Sequence, residues 1–582
     1  MNTAARSALV SALVIGSDTR AFLAVVRSLG RQGVTVHVAP FDHASAAMAS
    51  RYIHRVHRLP PLQLDPEGWI TALLAVCESA RPDFIVPCDD RSIIPLQHFH
   101  ARVAHLRLGL PGAQAYEAFF DKGHTRALAE RCGVPVAPGR VLSDADTAEQ
   151  LIAELGLPLF VKPRNSYLLR ALESRRNVHP CHSARDLQQV LQAIPRRDEY
   201  LVEANFNGTG VGVSVLAKDG VVSQVFQHRR VREPVGGGGS SYRKSEALSP
   251  ELEQMTLALA RASRLDGVAM FEYKVDDATG RKALLEVNAR FWGSLPLAMA
   301  AGVDFPWLWF QQALGAPVAP RVPYRLPCYA RNLLSDLYAT VGHIESRRSA
   351  GRGVQLVEAL RWVGSLHRVL IGRESLDTLA RDDPKPAWHE LRTIGQRLAE
   401  RYTRRLPWVR HRRVGEVQRA ISGAWQDAAR AGRPPRLVVA CFGNICRSPY
   451  AALRLAQQLP GTEVVGAALA CRPPRPSPLL AVEAAARRGI DLAAHRSRYA
   501  DEELLQRADL VLVFDSANLE LLAARGLVLQ RPPLRLGELR QPGDGRVDIV
   551  DPYDGDAGFY ERTYVLIDEA CAAFVRSAGG RP

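Results

Sequence analysis

No window of 18 apolar residues occurs in the 582-residue chain, so no membrane-spanning helix is expected. The nine cysteines show no framework spacing, and two of them share one short loop. That pattern excludes a disulfide-stapled secreted fold and predicts a reducing, cytoplasmic setting. No Cys/His spacing suits zinc. Gly-x-Gly-x-x-Gly is missing, and Gly16-Ser-Asp18 is too little for a dinucleotide site. No internal repeat is present, which excludes a solenoid. The apolar run Ala8–Gly16 behind Arg6 imitates a signal peptide. It ends in Gly-Ser-Asp-Thr-Arg20 and runs into an amphipathic segment, so a first strand is expected there.

Hydrophobic residues make up 47% of the chain and charged residues 23%, the balance of a globular protein with ample core. The length predicts three or four domains at roughly 100–200 residues each. Net charge is +15. Such an excess serves nucleic acid, an anionic membrane surface or anionic small substrates. Nucleic acid is discounted, because the chemical motifs below suit phosphates and much of the excess lies in Arg-rich helical connectors.

Cys441-Phe-Gly-Asn-Ile-Cys-Arg-Ser448 follows the apolar run Leu437–Ala440. A strand that delivers its last residue into a loop, with a helix behind it, builds a phosphate cradle. Backbone N–H groups of the loop and helix N-terminus converge on one point and favour an anion there. The same dipoles favour the thiolate of a cysteine at the loop's start. Arg447 offers a planar fork of donors to two phosphate oxygens, and Ser448 can hydrogen-bond the thiolate. This set suits attack on a phosphate ester through a cysteinyl-phosphate. Cys-x5-Arg alone is short enough to arise by chance. Asp551-Pro-Tyr553, after Val547–Val550, argues otherwise. A phenolic leaving group needs a proton, and a carboxylic acid on a Pro-stiffened loop can give it.

Together these motifs resemble the low-molecular-weight protein tyrosine phosphatase family, over about Arg436–Val575. His495-Arg-Ser-Arg498 and Ala508–Asp515 resemble that family's intermediate signatures. The resemblance implies a doubly wound parallel sheet, with Cys441 as nucleophile and Asp551 as general acid, then base. Arg447 would bind phosphate, while Asn444 and Ser448 would hold loop and thiolate. Cys446 would be a disulfide partner for Cys441 under oxidation. Three positions depart from the family. Gly466-Ala-Ala468 stands for Ser-Ala-Gly, Asp554 follows Asp-Pro-Tyr, and Phe514 replaces a Met before Asp515. They leave the chemistry whole and the substrate open.

In the N-terminal half, Ala8–Ile15, Ala21–Leu29 and Val34–Val38 alternate strand, helix, strand, and Phe84–Pro87 follows as a buried strand. This is the alternation of an open parallel α/β sheet. From Asp121 the texture changes. Lys122 opens a helix to Cys132, and a second helix runs from about Ala145 to Glu154. Leu157–Pro163 is a strand carrying Lys162, Glu199–Glu203 a strand ending in an acid, and Val211–Leu216 another strand. Val268–Val275 and Lys282–Arg290 flank Asp276–Gly280 as a hairpin. A period of two puts Glu286, Asn288 and Arg290 on one face and Leu285, Val287 and Ala289 in the core. Glu272 on the partner strand reaches the same spot. Two carboxylates and an amide oxygen are hard ligands that suit Mg2+ bridged to phosphates. Arg290 beside them can hold phosphate or stabilise transferred charge.

In this order the pieces resemble the ATP-grasp superfamily, its carbamoyl-phosphate-synthase-like branch, over about residues 8–315, with a looser tail to about 400. The resemblance implies Lys122 and Lys162 on ATP phosphates, and the hinge Glu203–Phe206 on adenine and ribose. It places Mg2+ on Glu272, Glu286 and Asn288, and Arg290 at an acyl phosphate. Many relatives carry a Gly-rich loop soon after the second lysine, whereas Arg164–Arg170 has no glycine. The glycine run comes later, in Pro234–Ser241, behind the basic Gln227–Arg232, and reads as a lid over substrate.

Residues 316–433 carry no chemical motif. Arg331–Val341, Val354–Leu370, Trp388–Tyr402 and Gly415–Ala431 have helical periodicity, and the basic run Arg401–Arg413 reads as a solvated connector. The expected architecture is multidomain α/β. An open parallel pre-ATP-grasp domain (1–115) leads into an α+β ATP-grasp domain (116–315). A mostly helical connector (316–433) and the phosphatase domain (434–582) follow. The expected function is a two-enzyme fusion. One half would use ATP and Mg2+ to join a small carboxylic acid to an amine through an acyl phosphate. The other would hydrolyse a phosphomonoester, on a phosphotyrosine protein or a phosphorylated metabolite. Alternatives for the ATP half are a phosphoryl transferase or a nucleotide sensor regulating the phosphatase. Arg229, Arg230 and Arg232 near the lid, and Arg447, Arg496 and Arg498 around the cysteine loop, favour anionic ligands at both sites.

Overall fold

The structure, a computed structural model, describes residues 10–16, 19–62, 65–169, 172, 175–194, 196–233, 241–346, 352–403, 407–470, 474–525, 527–540, 547–553 and 555–579. Its backbone contacts divide into two compact units, residues 1–391 and 392–582.

The first unit opens with β1 (Ser11–Gly16), β2 (Thr35–Pro40), β3 (Ile53–Val56) and β4 (Phe84–Pro87). They form one parallel sheet in the order β3-β2-β1-β4. Every residue of β1 and β4 is buried, as continuous apolar strands covered on both faces should be. The strand expected over Ala8–Ile15 is β1. Helix Thr19–Arg31 follows it and buries Phe22, Val25, Val26 and Leu29. Residues 17 and 18, on which the expected first turn falls, lie outside the described set.

A second sheet takes β5 (Gly139–Val141), β6 (Leu159–Pro163), β7 (His179–Cys181) and β8 (Tyr200–Ala204) in the antiparallel order β5-β8-β6-β7. Helix Ala148–Leu155 begins three residues later than the apolar period suggested. Thr147 caps it, with its side chain and that of Gln150 exchanging hydrogen bonds across the first turn.

The third sheet has seven strands: β9 (Thr209–Lys218), β10 (Val221–Arg232), β11 (Tyr242–Ser245), β12 (Gly267–Val275), β13 (Lys282–Asn288), β14 (Tyr329–Arg331) and β15 (Glu374–Leu376). Their order is β13-β12-β9-β10-β11-β14-β15. The stretch 316–433 is mostly helical, as expected. Two of its segments, β14 and β15, nevertheless complete this sheet, so the sheet runs past residue 315. Each is three residues long, too short to show a period in sequence. They are locked by buried ion pairs. Arg331, fully buried, pairs with Glu374 at 2.6 Å and Asp336 at 3.0 Å.

The hairpin β12–β13 differs from strict alternation. Glu272 faces Glu286 and Tyr273 faces Leu284, so Leu285 is an extra residue in the register. This bulge leaves Leu285 half-buried and gives its expected core place to Leu284, alongside Val287 and Ala289.

The second unit contains a parallel sheet of β16 (Arg436–Cys441), β17 (Glu463–Ala468), β18 (Leu510–Val513) and β19 (Leu534–Arg535), in the order β17-β16-β18-β19. Apolar clusters pack on both sheet faces. Helices Arg447–Gln458 and Ala557–Ser577 cover one of them. Helix Pro407–Arg430, expected as connector, sends Val417, Ile421 and Ala424 into the same core.

Candidate functional site

β16 ends at Cys441, and helix Arg447–Gln458 starts behind the loop. Cys441 is buried, with its Sγ 3.0 Å from Ser448 Oγ. The Asn444 backbone N–H donates to that sulfur at 3.2 Å, and Asn444 Nδ2 donates to Ser448 Oγ at 2.8 Å. Asn444 adopts φ +50°, the left-handed region that Asn enters more readily than most residues. Two outside contacts hold it there. His495 Nε2 donates to its carbonyl at 2.7 Å, and the Arg498 backbone N–H donates to its Oδ1 at 2.9 Å. A Cβ at Gly466 would lie 3.0 Å from Asn444 Nδ2, so the glycine found in place of serine lets the amide approach. Burial lowers the His495 pKa, against its bond to Asn444. Because its partner is a carbonyl oxygen, Nε2 is the nitrogen that carries the proton.

Arg447 is 1% exposed. Its Nη1 donates to Asp515 Oδ2 at 2.5 Å and to the Ile549 carbonyl at 2.9 Å, and its Nη2 donates to Asp551 Oδ2 at 2.5 Å. Burial opposes its charge, but Asp551, Cys441 and Asp515 together raise its pKa above the ordinary arginine value. Its Nε has no hydrogen-bond partner among the described residues. A buried, unpaired N–H costs free energy unless a ligand oxygen takes it. Phe514, another departure from the family pattern, lies 5.4 Å below the guanidinium and packs on it. Cys446 is a free thiol near Tyr560, and burial pushes its pKa well above the ordinary thiol value. Asp554 lies outside the described residues.

The first unit gathers most of the other expected residues around two adjoining cavities. One, of about 460 Å3, is lined by Lys122, Ser166, Tyr167, Glu286 and Asn288. The other, of about 310 Å3, is lined by Arg230, Glu272, Glu286, Asn288 and Arg290, with Arg20 and Asp90 from the parallel sheet's side. Asp121 caps the helix that Lys122 opens, and Lys122 Nζ donates to Ser166 Oγ at 2.8 Å. Burial lowers the Lys122 pKa, partly offset by Glu286. Burial raises Glu286, but Lys122, Arg175, Asn288 and Arg290 overcome it and hold the carboxyl ionised below its usual range. Glu272, cross-strand from Glu286, is raised by burial, with Arg230 opposing. Arg290 lies past the end of β13, pairing with Asp90 at 2.9 Å and donating to Asn288 Oδ1 at 2.8 Å.

Lys162 Nζ donates to Glu203 Oε2 at 2.5 Å. The pair sits on β6 and β8, off the linings of the two cavities. Phe206 packs under the Arg281 guanidinium at 5.7 Å. No cluster of three or more His, Cys, Asp or Glu is placed for a metal among the described residues. Two carboxylates and one amide still fit Mg2+, which keeps water and phosphate oxygens in its remaining positions.

Several arginines expected near the two sites face other groups. Arg229 pairs with Glu246 at 2.7 Å and Arg232 with Asp336 at 2.8 Å. Arg496 donates to the His495 carbonyl at 2.8 Å, and Arg498 lines a separate cavity with Glu463 and Asp501. The glycines of the expected lid, within 234–240, lie outside the described residues. The reading missed Asp515 and His495 as individual contacts, although both stand inside stretches it marked. It missed Arg475 altogether, which reaches the Tyr553 hydroxyl at 3.1 Å. None of the three has a local signal, because their partners are distant in sequence.

The two sites define two enzymatic classes, a nucleotide-dependent ligase-like domain and a cysteine-dependent phosphatase. The description "Low molecular weight phosphotyrosine protein phosphatase" matches residues 436–579. "ATP-grasp in the biosynthetic pathway with Ter operon" matches residues 196–333. The probable low-molecular-weight protein-tyrosine-phosphatase EpsP of Ralstonia nicotianae is 37% identical over 139 residues, covering 24% of this chain and 92% of that protein. The formate-dependent phosphoribosylglycinamide formyltransferase of Marinobacter nauticus is 34% identical over 144 residues, covering 24% of this chain and 33% of that protein. The solved N5-carboxyaminoimidazole synthetase of Staphylococcus aureus with ADP aligns at TM-score 0.46 and 16% identity, over 56% of this chain and 82% of that one. The chain thus belongs, through its C-terminal part, to the low-molecular-weight protein tyrosine phosphatase family, and it carries an ATP-grasp domain ahead of it.

Proposed function

We propose that the protein is a cytoplasmic bifunctional enzyme that ligates a small carboxylic acid to an amine and hydrolyses phosphomonoesters of the phosphotyrosine type. The observation that carries the phosphatase reading is the buried Nε of Arg447, unpaired among the described residues, beside the Cys441 thiol. It is a donor waiting for an oxyanion. In the proposed mechanism the Cys441 thiolate attacks phosphorus, forming the S–P bond as the P–O bond of the ester breaks. Asp551, in its protonated form, gives its proton to the leaving oxygen. It then takes a proton from the water that releases phosphate. Asn444 and Ser448 hold the sulfur, and Ser448 stabilises it as it leaves. The name of the EpsP relative supports phosphotyrosine as the first substrate to test.

For the ligase half, the support is the shared lining of the two cavities by Glu286 and Asn288. ATP supplies the phosphoryl group that activates the acid. Lys122 would neutralise its phosphates. Glu272, Glu286 and Asn288 would hold Mg2+, and Arg290 would face the acyl phosphate. Lys162 with Glu203 and Phe206 would border the nucleotide. The domain limits proposed are those of the sequence reading, with β14 and β15 added to the ATP-grasp sheet.

Two assays on the full-length protein test the reading. Metal-free hydrolysis of p-nitrophenyl phosphate should vanish in Cys441→Ser, and persistence would sink the phosphatase half. ATP turnover should appear when pooled carboxylates and amines are supplied, with an amide detected by mass. Phosphorylation of a substrate with no amide formed would favour a phosphoryl transferase instead.

A further inference from the structure

We propose that Arg475 is a specificity-determining residue of the phosphatase site, favouring phosphoesters that carry a second negative charge beside the ester. The inference rests on the phosphatase reading above and narrows its substrate class.

Arg475 is tied to the site from both ends. Its Nη2 donates to the Tyr553 hydroxyl at 3.1 Å, and its guanidinium lies 5.8 Å from that ring's centroid. Tyr553 stands two residues past Asp551, donates its backbone N–H to Asp551 Oδ1 at 3.3 Å, and is 48% exposed. At its backbone, Arg475 N–H donates to Ser497 Oγ at 2.8 Å and its carbonyl accepts from the Ser497 N–H at 2.9 Å. Ser497 lies between His495 and Arg498, the two residues that clamp Asn444. One arginine therefore joins the segment that holds the nucleophile loop to the segment that carries Asp551.

This placement has a chemical consequence. The guanidinium is half-buried and held against an aromatic ring, so little rotamer freedom is lost when it meets an anion. Its charge is screened less than that of a fully exposed arginine. The Arg496 side chain donates to the His495 carbonyl, and Arg498 lines a separate cavity. Tyr553, hydrogen-bonded to both Asp551 and Arg475, would bring the group beyond the ester of a bound substrate towards Arg475. A carboxylate or second phosphate there matches the planar fork of donors. An acidic side chain next to phosphotyrosine and a second phosphate on a small metabolite share this chemistry.

The test compares kcat/KM of the full-length protein and of Arg475→Gln. The peptide arm uses a phosphotyrosine peptide flanked by Glu against the same peptide flanked by Gln. The metabolite arm uses a hexose bisphosphate against the hexose monophosphate. The parent should prefer the doubly anionic member of at least one pair by roughly three- to tenfold, the worth of a partly exposed ion pair. The preference should lie in KM, shrink with added salt, collapse in Arg475→Gln and partly return in Arg475→Lys. Which arm shows it identifies the source of the second charge. A parent indifferent in both arms overturns the proposal without any variant, and so does a preference that survives Arg475→Gln. If Cys441-dependent turnover of p-nitrophenyl phosphate is itself absent, the phosphatase reading falls and this inference with it.

Discussion

Arg447 and Asp515 form an ion pair at 2.5 Å across 68 residues of chain. The same guanidinium reaches Asp551 with its other terminal nitrogen. Asp515 caps the helix Ser516–Ala524 through the Asn518 N–H, so it is itself fixed. It can hold the plane of Arg447 while Asp551, the proposed general acid, moves a proton. Asp515→Asn should lower kcat/KM for p-nitrophenyl phosphate by about tenfold, the scale of a weakened charge pair. Phosphate inhibition should weaken in parallel. An unchanged inhibition constant would remove Asp515 from the support of Arg447.

Asp551→Asn should cost roughly 10²–10⁴-fold in kcat on an ester with a poor leaving group, the usual worth of a general acid. The loss should be smaller for esters whose leaving group needs no proton. Equal losses across leaving groups would assign Asp551 to Arg447 alone rather than to proton transfer.

Glu286 is held ionised by Lys122, Arg175, Asn288 and Arg290. Glu286→Gln removes the charge and keeps the shape. ATP turnover should fall to background while the phosphatase rate stays. Nucleotide affinity should drop chiefly when Mg2+ is present. The same Mg·ATP affinity in both proteins, measured by calorimetry, would take Glu286 out of the metal site.

Asp383 accepts from Arg27 Nε at 2.9 Å, Ser50 Oγ at 2.7 Å and the Arg51 N–H at 2.9 Å, all in a site where it has no exposure. Asp383→Ala leaves Arg27 buried with its main counter-charge gone. The first unit should lose about 3–5 kcal/mol, read as lost amide protection in helix Thr19–Arg31. Unchanged protection would mean that water reaches Arg27.

Complete burial, with Arg230 and Arg243 close by, pushes His228 down to about 3. Its folded pKa lies below the unfolded value of about 6.5. Between the two, the unfolded chain binds a proton that the folded chain does not. Stability therefore falls as pH falls through that window, by at most about 1.4 kcal/mol per unit from this residue. Protection factors in β10 should drop between pH 7 and pH 5, and the drop should shrink in His228→Gln. An equal drop in both proteins would place the acid sensitivity elsewhere.

Both site regions were legible in the sequence where their chemistry is local. Cys441 to Ser448 needs only a strand, a turn and a helix start within eight residues, and each has its own pattern. Glu272 and Glu286 were paired because a short hairpin fixes which residues face each other. The bulge at Leu285 was not legible, since an extra residue in a ladder is set by both strands together. Nor were β14 and β15, whose three residues apiece gain their place from the buried Arg331–Glu374 pair.

The sequence by itself determined the two families and the residue types proposed to do the chemistry, because covalent order fixes short motifs before any folding. Tertiary structure decided the electrostatics. Arg229 and Arg232 read as cations at one site and Arg496 and Arg498 at the other, yet Arg229 and Arg232 pair with carboxylates, Arg496 donates to backbone and Arg498 lines another cavity. Salt screens exposed charges beyond roughly 8–10 Å at physiological ionic strength. Which arginine stands at a site therefore depends on long-range packing. Of those around the cysteine loop, packing placed Arg447 between Asp515 and Asp551 and Arg475 against Tyr553.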